Sequence, residues 1–249
     1  MAEAALWGLI GASSLFIGAI VGVRVGLSDG VIGMVLAFGA GTLISAVAFE
    51  LTDEAFRLGG AQVVAGGLAL GALSYFAGSV AIARRGGARR MGAAGRADAD
   101  ASTALLLGAV LDGIPESAVI GISLLGGGPV GFPILAAVFI SNLPESISSS
   151  RGMDEQGVPV RRILWTWALV CLVSALAAGA GYGLLSGASD DLVGLLQAFA
   201  GGAVLTMLAD TMIPEAYTLQ ERGGPIPHGA VGLLTVLGFA VAYLLSTLE

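Results

Sequence analysis

Long apolar stretches alternate with short polar breaks along the whole chain. Eight of them fall near residues 5–26, 31–50, 61–83, 102–124, 130–149, 163–185, 192–213 and 229–248. At ~1.5 Å per helical residue, each is long enough to cross a hydrocarbon layer of ~30 Å. In lipid, backbone N–H and C=O groups must bond within their own segment, and the runs lack the in–out alternation of barrel strands. The pattern therefore predicts an all-α polytopic protein with eight membrane-spanning helices. The breaks carry turn chemistry, as in Ser28-Asp29-Gly30 and Leu58-Gly59-Gly60. The longest polar interval, about 84–101, mixes glycine, alanine and arginine. It reads as a linker within one transmembrane domain (1–249), separating spans 1–3 (about 5–83) from spans 4–5 (about 102–149), with spans 6–8 (about 163–248) after them.

Composition agrees with this reading. Of 249 residues, 56% are apolar and 12% charged, and mean hydropathy is +0.90. A soluble domain carries ~25% charge. The net charge of -7 argues against a nucleic-acid partner. All eleven basic residues are arginines. With successive loops on alternate sides, one side receives Arg24, Arg84, Arg85, Arg89, Arg90, Arg96, Arg151, Arg161, Arg162 and Arg222, and the other only Arg57. The arginine-rich side is then cytoplasmic, both termini lie outside, and a plasma (inner) membrane location is expected. Trp7, Trp165 and Trp167 fall near span boundaries and are expected to be interfacial anchors. Asp190 and Asp191 are expected to cap the seventh span, and the lone Cys171 to be a small buried hydrophobe. The first span begins almost at Met1 with no basic segment before it, so no cleaved leader is expected.

Two internal similarities stand out. Phe38-Gly39-Ala40-Gly41 through Asp53-Glu54-Ala55 in the second span pairs with Phe199-Ala200-Gly201-Gly202 through Pro214-Glu215-Ala216 in the seventh, at an offset of 161 residues. These spans cross in opposite directions, as an inverted repeat requires. The second similarity joins Asp112-Gly113-Ile114-Pro115-Glu116-Ser117 in the fourth span to Ser141-Asn142-Leu143-Pro144-Glu145-Ser146 in the fifth. Both set a proline before a glutamate near mid-membrane.

An acid at the bilayer centre costs ~3 kcal/mol, so Asp112, Glu116 and Glu145 facing lipid as charges would cost ~9 kcal/mol. They are expected to face the bundle interior. The chain has no lysine, and no arginine lies in these spans. A cation from outside is the simplest counter-charge. Asp112 and Glu116 are four residues apart and share a helix face, as do Ser141 and Glu145. Pro115 and Pro144 cannot donate to the carbonyls of Leu111 and Ile140, which frees oxygen ligands. Glu50, Asp53 and Glu54 toward the outer end of the second span, and Asp210 and Glu215 toward the inner end of the seventh, are candidate path residues. His228 is a weak candidate in a cytoplasmic loop.

On these residues the chain resembles the ZIP family of divalent-metal transporters over essentially its whole length. The resemblance implies eight helices in a 3+2+3 arrangement, with spans 1–3 and 6–8 as the inverted repeat, and outward termini. It also implies a metal site between spans 4 and 5. The paired Pro-Glu motifs carry it, with Asp53-Glu54-Ala55 and Pro214-Glu215-Ala216 as further matches. The departures are specific. Asp112 stands where the family has histidine, Gly113 where it has asparagine, Ser141 where it has histidine or glutamine, and Asn142 where aspartate is frequent. The sixth span, Ile163–Leu185, has no acid. One metal is therefore expected, held by Asp112, Glu116 and Glu145 with Ser141 and Asn142 as additional ligands.

An all-oxygen set suits manganese, magnesium or calcium, while zinc, iron and cadmium still accept carboxylates. The expectation is a transporter, not an enzyme, with lipid and the transported metal as partners and no resident cofactor; a homodimer is compatible with it. The alternatives are an intramembrane metal-dependent hydrolase, for which no His-Glu-x-x-His pattern exists, a proton or other cation carrier, and a non-transporting structural or receptor protein.

Overall fold

A computed structural model describes residues 1–84, 117, 120, 121, 124, 132–223 and 229–247. Among the described residues there is no strand. The helices are α1 (Ala2–Arg24), α2 (Asp29–Ala46), α3 (Asp53–Arg84), α4 (Phe132–Glu155), α5 (Val160–Leu185), α6 (Asp190–Met207), α7 (Ile213–Arg222) and α8 (Ala230–Ser246). α2 enters α3 through a π-helical turn, Val47–Thr52, and α6 enters α7 through another, Leu208–Met212. Among the described residues, four continuous stretches are long and apolar enough to cross a membrane: Ala2–Arg24, Asp29–Ala81, Val160–Leu185 and Asp190–Arg222. Ala230–Ser246 is apolar but shorter. The protein is all-helical and membrane-embedded.

Helix ends are set by capping and glycine rather than by hydropathy. Ser28 caps α2, its Oγ accepting from Val31 N–H at 3.4 Å. The second apolar run, expected to stop near residue 50, continues helically until Gly60, where φ 73° and ψ -175° fold the chain back. A side chain at that backbone conformation would be strained, so glycine is required. The seventh run, expected to stop near 213, continues to Arg222. Ser189 takes the N-cap position of α6 without a side-chain bond. Asp190 and Asp191 therefore sit inside the first turn, where their charge complements the helix dipole, and are not caps.

Packing is by backbone contact at glycine, which lets helices approach without an intervening side chain. α1 lies on α4 and α5, α3 on α6, and α2 on α8 with further contact to α4 and α7. α1 and α5 run antiparallel: Gly8 meets Ala178, and Gly179 meets Ala5. Two other sets of contacts are reciprocal. A Cβ on Gly33 would lie 2.8 Å from Ala216 O and 3.2 Å from both Leu219 Cβ and Gln220 N. A Cβ on Gly194 would lie 3.0 Å from Ala55 O, 3.2 Å from Leu58 Cβ and 3.5 Å from Gly59 N. Each residue in one set differs by 161 from its counterpart in the other, the same offset as the sequence similarity. Likewise Gly41 rests on Thr235 O and Gly202 on Leu68 O, while Gly238 rests on Phe38 O and Gly71 on Phe199 O. Here the third and eighth spans are related by 167 residues.

Trp167 corrects the sequence expectation. It is buried among Leu15, Met153, Ile163, Val170 and Cys171, not placed at an interface. Trp165 is exposed and Trp7 half-buried. Cys171 is buried as expected, its S–H donating to Ala12 O at 2.9 Å.

Candidate functional site

The fifth predicted span is α4, a continuous helix through Pro144. Its polar residues turn inward: Ser141 is 1% exposed, Asn142 4%, and Ser146 fully buried, with Glu145 half-buried beside them. The stretch is wedged between two glycines. On one side Gly39 of α2 faces Ser141, where a Cβ would lie 3.0 Å from Ser141 Cα, 3.1 Å from Met212 Cε and 3.4 Å from Ile140 O. On the other side Gly18 of α1 faces Ser146 Oγ and Leu143 O. The carbonyl of Ile140, deprived of an N–H donor at Pro144, thus points toward the α2 seam next to the π-turn of the seventh span.

The serine hydroxyls answer their own helix. Ser141 Oγ donates to Val138 O at 3.0 Å, and Ser146 Oγ lies 2.9 Å from Asn142 O and 3.0 Å from Leu143 O. Such back-bonding satisfies the hydroxyl proton and leaves oxygen lone pairs as acceptors. The donor set on this face is therefore oxygen, from carboxylate, amide, hydroxyl and freed carbonyl.

Asp112 and Glu116 lie outside the described residues, as does His228. Of the fourth span, Ser117 and Ile120 are buried, Ile120 against Gly11 of α1, and Gly121 lies on Ala178 of α5. Among the described residues no group of three or more His, Cys, Asp or Glu is near enough to hold a metal.

The path residues divide. Glu50 is half-buried within the π-turn of the second span, and Glu54 is half-buried one turn later. Asp53 is exposed and pairs with Arg57 at 2.7 Å. Asp210 is exposed within the π-turn of the seventh span. Glu215 is half-buried and accepts a short hydrogen bond from Ser148 of α4, which ties it to the polar helix.

Sequence reasoning missed Ser148 and the second role of Arg151, whose Nη1 donates to Asp29 Oδ1 at 2.6 Å and to Leu27 O at 2.8 Å. The run Ser148-Ser149-Ser150 was a legible polar signal. The arginine read only as a topology marker.

A polytopic helical membrane protein with a proline-containing helix that buries polar residues is the class these features define. The chain matches no protein-family model and no curated protein.

Proposed function

We propose that the protein is a divalent-metal transporter resembling the ZIP family, carrying its cargo toward the cytoplasm. In this reading eight spans in a 3+2+3 arrangement cross the plasma membrane with both termini outside. Asp112, Glu116 and Glu145 hold the cation, assisted by Ser141 and Asn142. The single observation that carries it is the burial of Ser141, Asn142 and Ser146 around Pro144 and Glu145 at the centre of the bundle. The serine hydroxyl protons there are taken up by the helix's own carbonyls, and a buried face whose remaining lone pairs are all on oxygen suits a hard metal ion.

The reciprocal contacts of Gly33 and Gly194 support the inverted repeat, because a two-fold axis between the second and seventh spans exchanges one set for the other. Two such halves can expose a central site alternately to either side. Two charges moving inward through 100 mV gain ~4.6 kcal/mol, enough to drive concentrative uptake. Glu50 and Glu54 line the entrance and Glu215 the exit.

Uptake of zinc, manganese, iron, cadmium and magnesium into proteoliposomes tests this reading. Uptake is expected from the unaltered chain and lost on changing Glu116→Ala together with Glu145→Ala. Uptake that survives the double change removes the assigned site.

A further inference from the structure

Each related half contains a π-helical turn at the same place, Val47–Thr52 in one and Leu208–Met212 in the other. Val47 and Leu208 differ by the same 161 residues that relate the packing contacts. A π-turn is a strained i→i+5 arrangement, uncommon in helices and a frequent cause of bending. It holds one residue more than the α-helical ladder needs, so reabsorbing that residue swings everything beyond it by about 100° around the helix axis. Two such turns at matched positions point to a shared use.

The helical segment beyond each turn is short. After Val47–Thr52 the helix runs only to Gly60, where the chain folds back. After Leu208–Met212 it runs only through α7, ending at Arg222 before Gly223. Each half thus carries a short helical rod, 53–59 or 213–222, with a π-turn at one end and a glycine at the other. Each rod is seated on a glycine of the opposite half: Ala55 and Leu58 on Gly194, Ala216 and Leu219 on Gly33. Each also carries path acids of its half, Asp53 and Glu54 or Glu215.

The side chains around the two turns are not alike. Tyr75 of α3 reaches the inner turn, its hydroxyl 3.4 Å from Thr211 Oγ1, and Ser148 of α4 donates to Glu215 on the inner rod. At the outer turn Phe49 packs on Tyr243 and Phe239, with ring centroids 4.9 and 5.9 Å away. Ser148 thus tethers the inner rod to the helix bearing Glu145 and Tyr75 contacts the inner turn, while an aromatic cluster packs on the outer turn.

We propose that the two π-turns are the paired joints of the transporter's gates. Rod 53–59 gates the outer side and rod 213–222 the inner side, each swinging on its π-turn and lifting from its glycine seat. Both rods are seated on their glycines in this structure, and the inner one is tied in addition by Ser148 to Glu215. This inference rests on the transport reading for its purpose, but the motion itself is measurable without transport.

Deleting Ala48 from the outer turn, or Ala209 from the inner one, removes the extra residue and restores an α-helical register. Cadmium uptake into proteoliposomes is expected to fall at least tenfold in each deletion. Uptake within twofold of the unaltered protein in both would overturn the joints. The second measurement is spin-label distance in the full-length chain with Cys171→Ala. Outer labels go at Arg57→Cys and Leu184→Cys, and inner labels at Glu221→Cys and Arg161→Cys, all at exposed positions. Each pair is expected to give two separations whose populations shift with added cadmium, and one separation after the matching deletion. A single separation in the undeleted chain, unmoved by cadmium, overturns the proposal whether or not the deletions fold. Two separations in a chain that takes up no metal would retain the joints and refute the transport reading alone.

Discussion

Arg151 of α4 ties the end of its helix to the beginning of α2: Nη1 lies 2.6 Å from Asp29 Oδ1, and the same nitrogen donates to Leu27 O. Both side chains are roughly a third exposed or less, and Nε adds a bond to Glu155 at 2.9 Å. One guanidinium therefore joins the first interhelical turn to the fifth span. Arg151→Ala is expected to lower stability by about 1 kcal/mol, the upper range for ion pairs that water partly screens. Thermal unfolding in detergent measures it. Arg151→Lys should recover part of the loss, since an ammonium has no planar fork to serve Asp29 and Glu155 together.

The glycine crossings make a sharper prediction. Gly41→Val and Gly202→Val place side chains against Thr235 O and Leu68 O, on main chain that cannot yield. Overpacking of this kind costs about 1–3 kcal/mol or more, and both variants are expected to express poorly and unfold early. Gly66→Ala meets nothing within 4 Å and lies in a helix interior, so it should stabilise by up to about 1 kcal/mol. Equal behaviour of Gly66→Ala and the two valine variants would sink the crossing argument.

Gln197 is 6% exposed, and among the described residues its Oε1 has no hydrogen-bond partner. The position related to it by 161 residues is Leu36, buried and apolar. An unpaired buried acceptor costs ~1–3 kcal/mol, whereas leucine leaves nothing to satisfy. Gln197→Leu is therefore expected to raise the unfolding midpoint, corresponding to about 1 kcal/mol. A lower midpoint would mean that the amide is paired in the membrane.

Gly60 carries the fold-back between the second and third spans at φ 73°. Gly60→Ala is expected to cost about 1–3 kcal/mol through backbone strain alone, since no atom lies within 4 Å of an added Cβ. Comparing it with Gly66→Ala in the same helix separates strain from packing in one unfolding series.

The helices were legible because their apolar runs are long, and the repeat of the second and seventh spans because Phe38–Gly41 and Phe199–Gly202 sit beside Glu-Ala motifs. The relation of the third span to the eighth was not. Leu68 through Gly71 and Thr235 through Gly238 share only a Leu-Gly pair, too little to stand out in a chain with 40 glycines. The π-turns leave no side-chain signature, since they are a matter of which carbonyl each N–H meets. Trp167 misled because an indole suits a membrane interface as well as a three-helix junction, and only packing separates the two. Of the candidate site, the Ser141–Ser146 segment was picked out by its proline and glutamate, and Ser141, Asn142 and Ser146 are buried. The Asp112–Glu116 half lies outside the described residues.

Main chain meeting main chain at Gly33, Gly41, Gly194 and Gly202 has an evolutionary corollary. A seam built from backbone imposes little demand on the residues around it, so two halves descended from one ancestor can drift apart in nearly every letter while their architecture stays superimposable. Kinship between them would then survive at a handful of glycines and remain invisible to a count of identities.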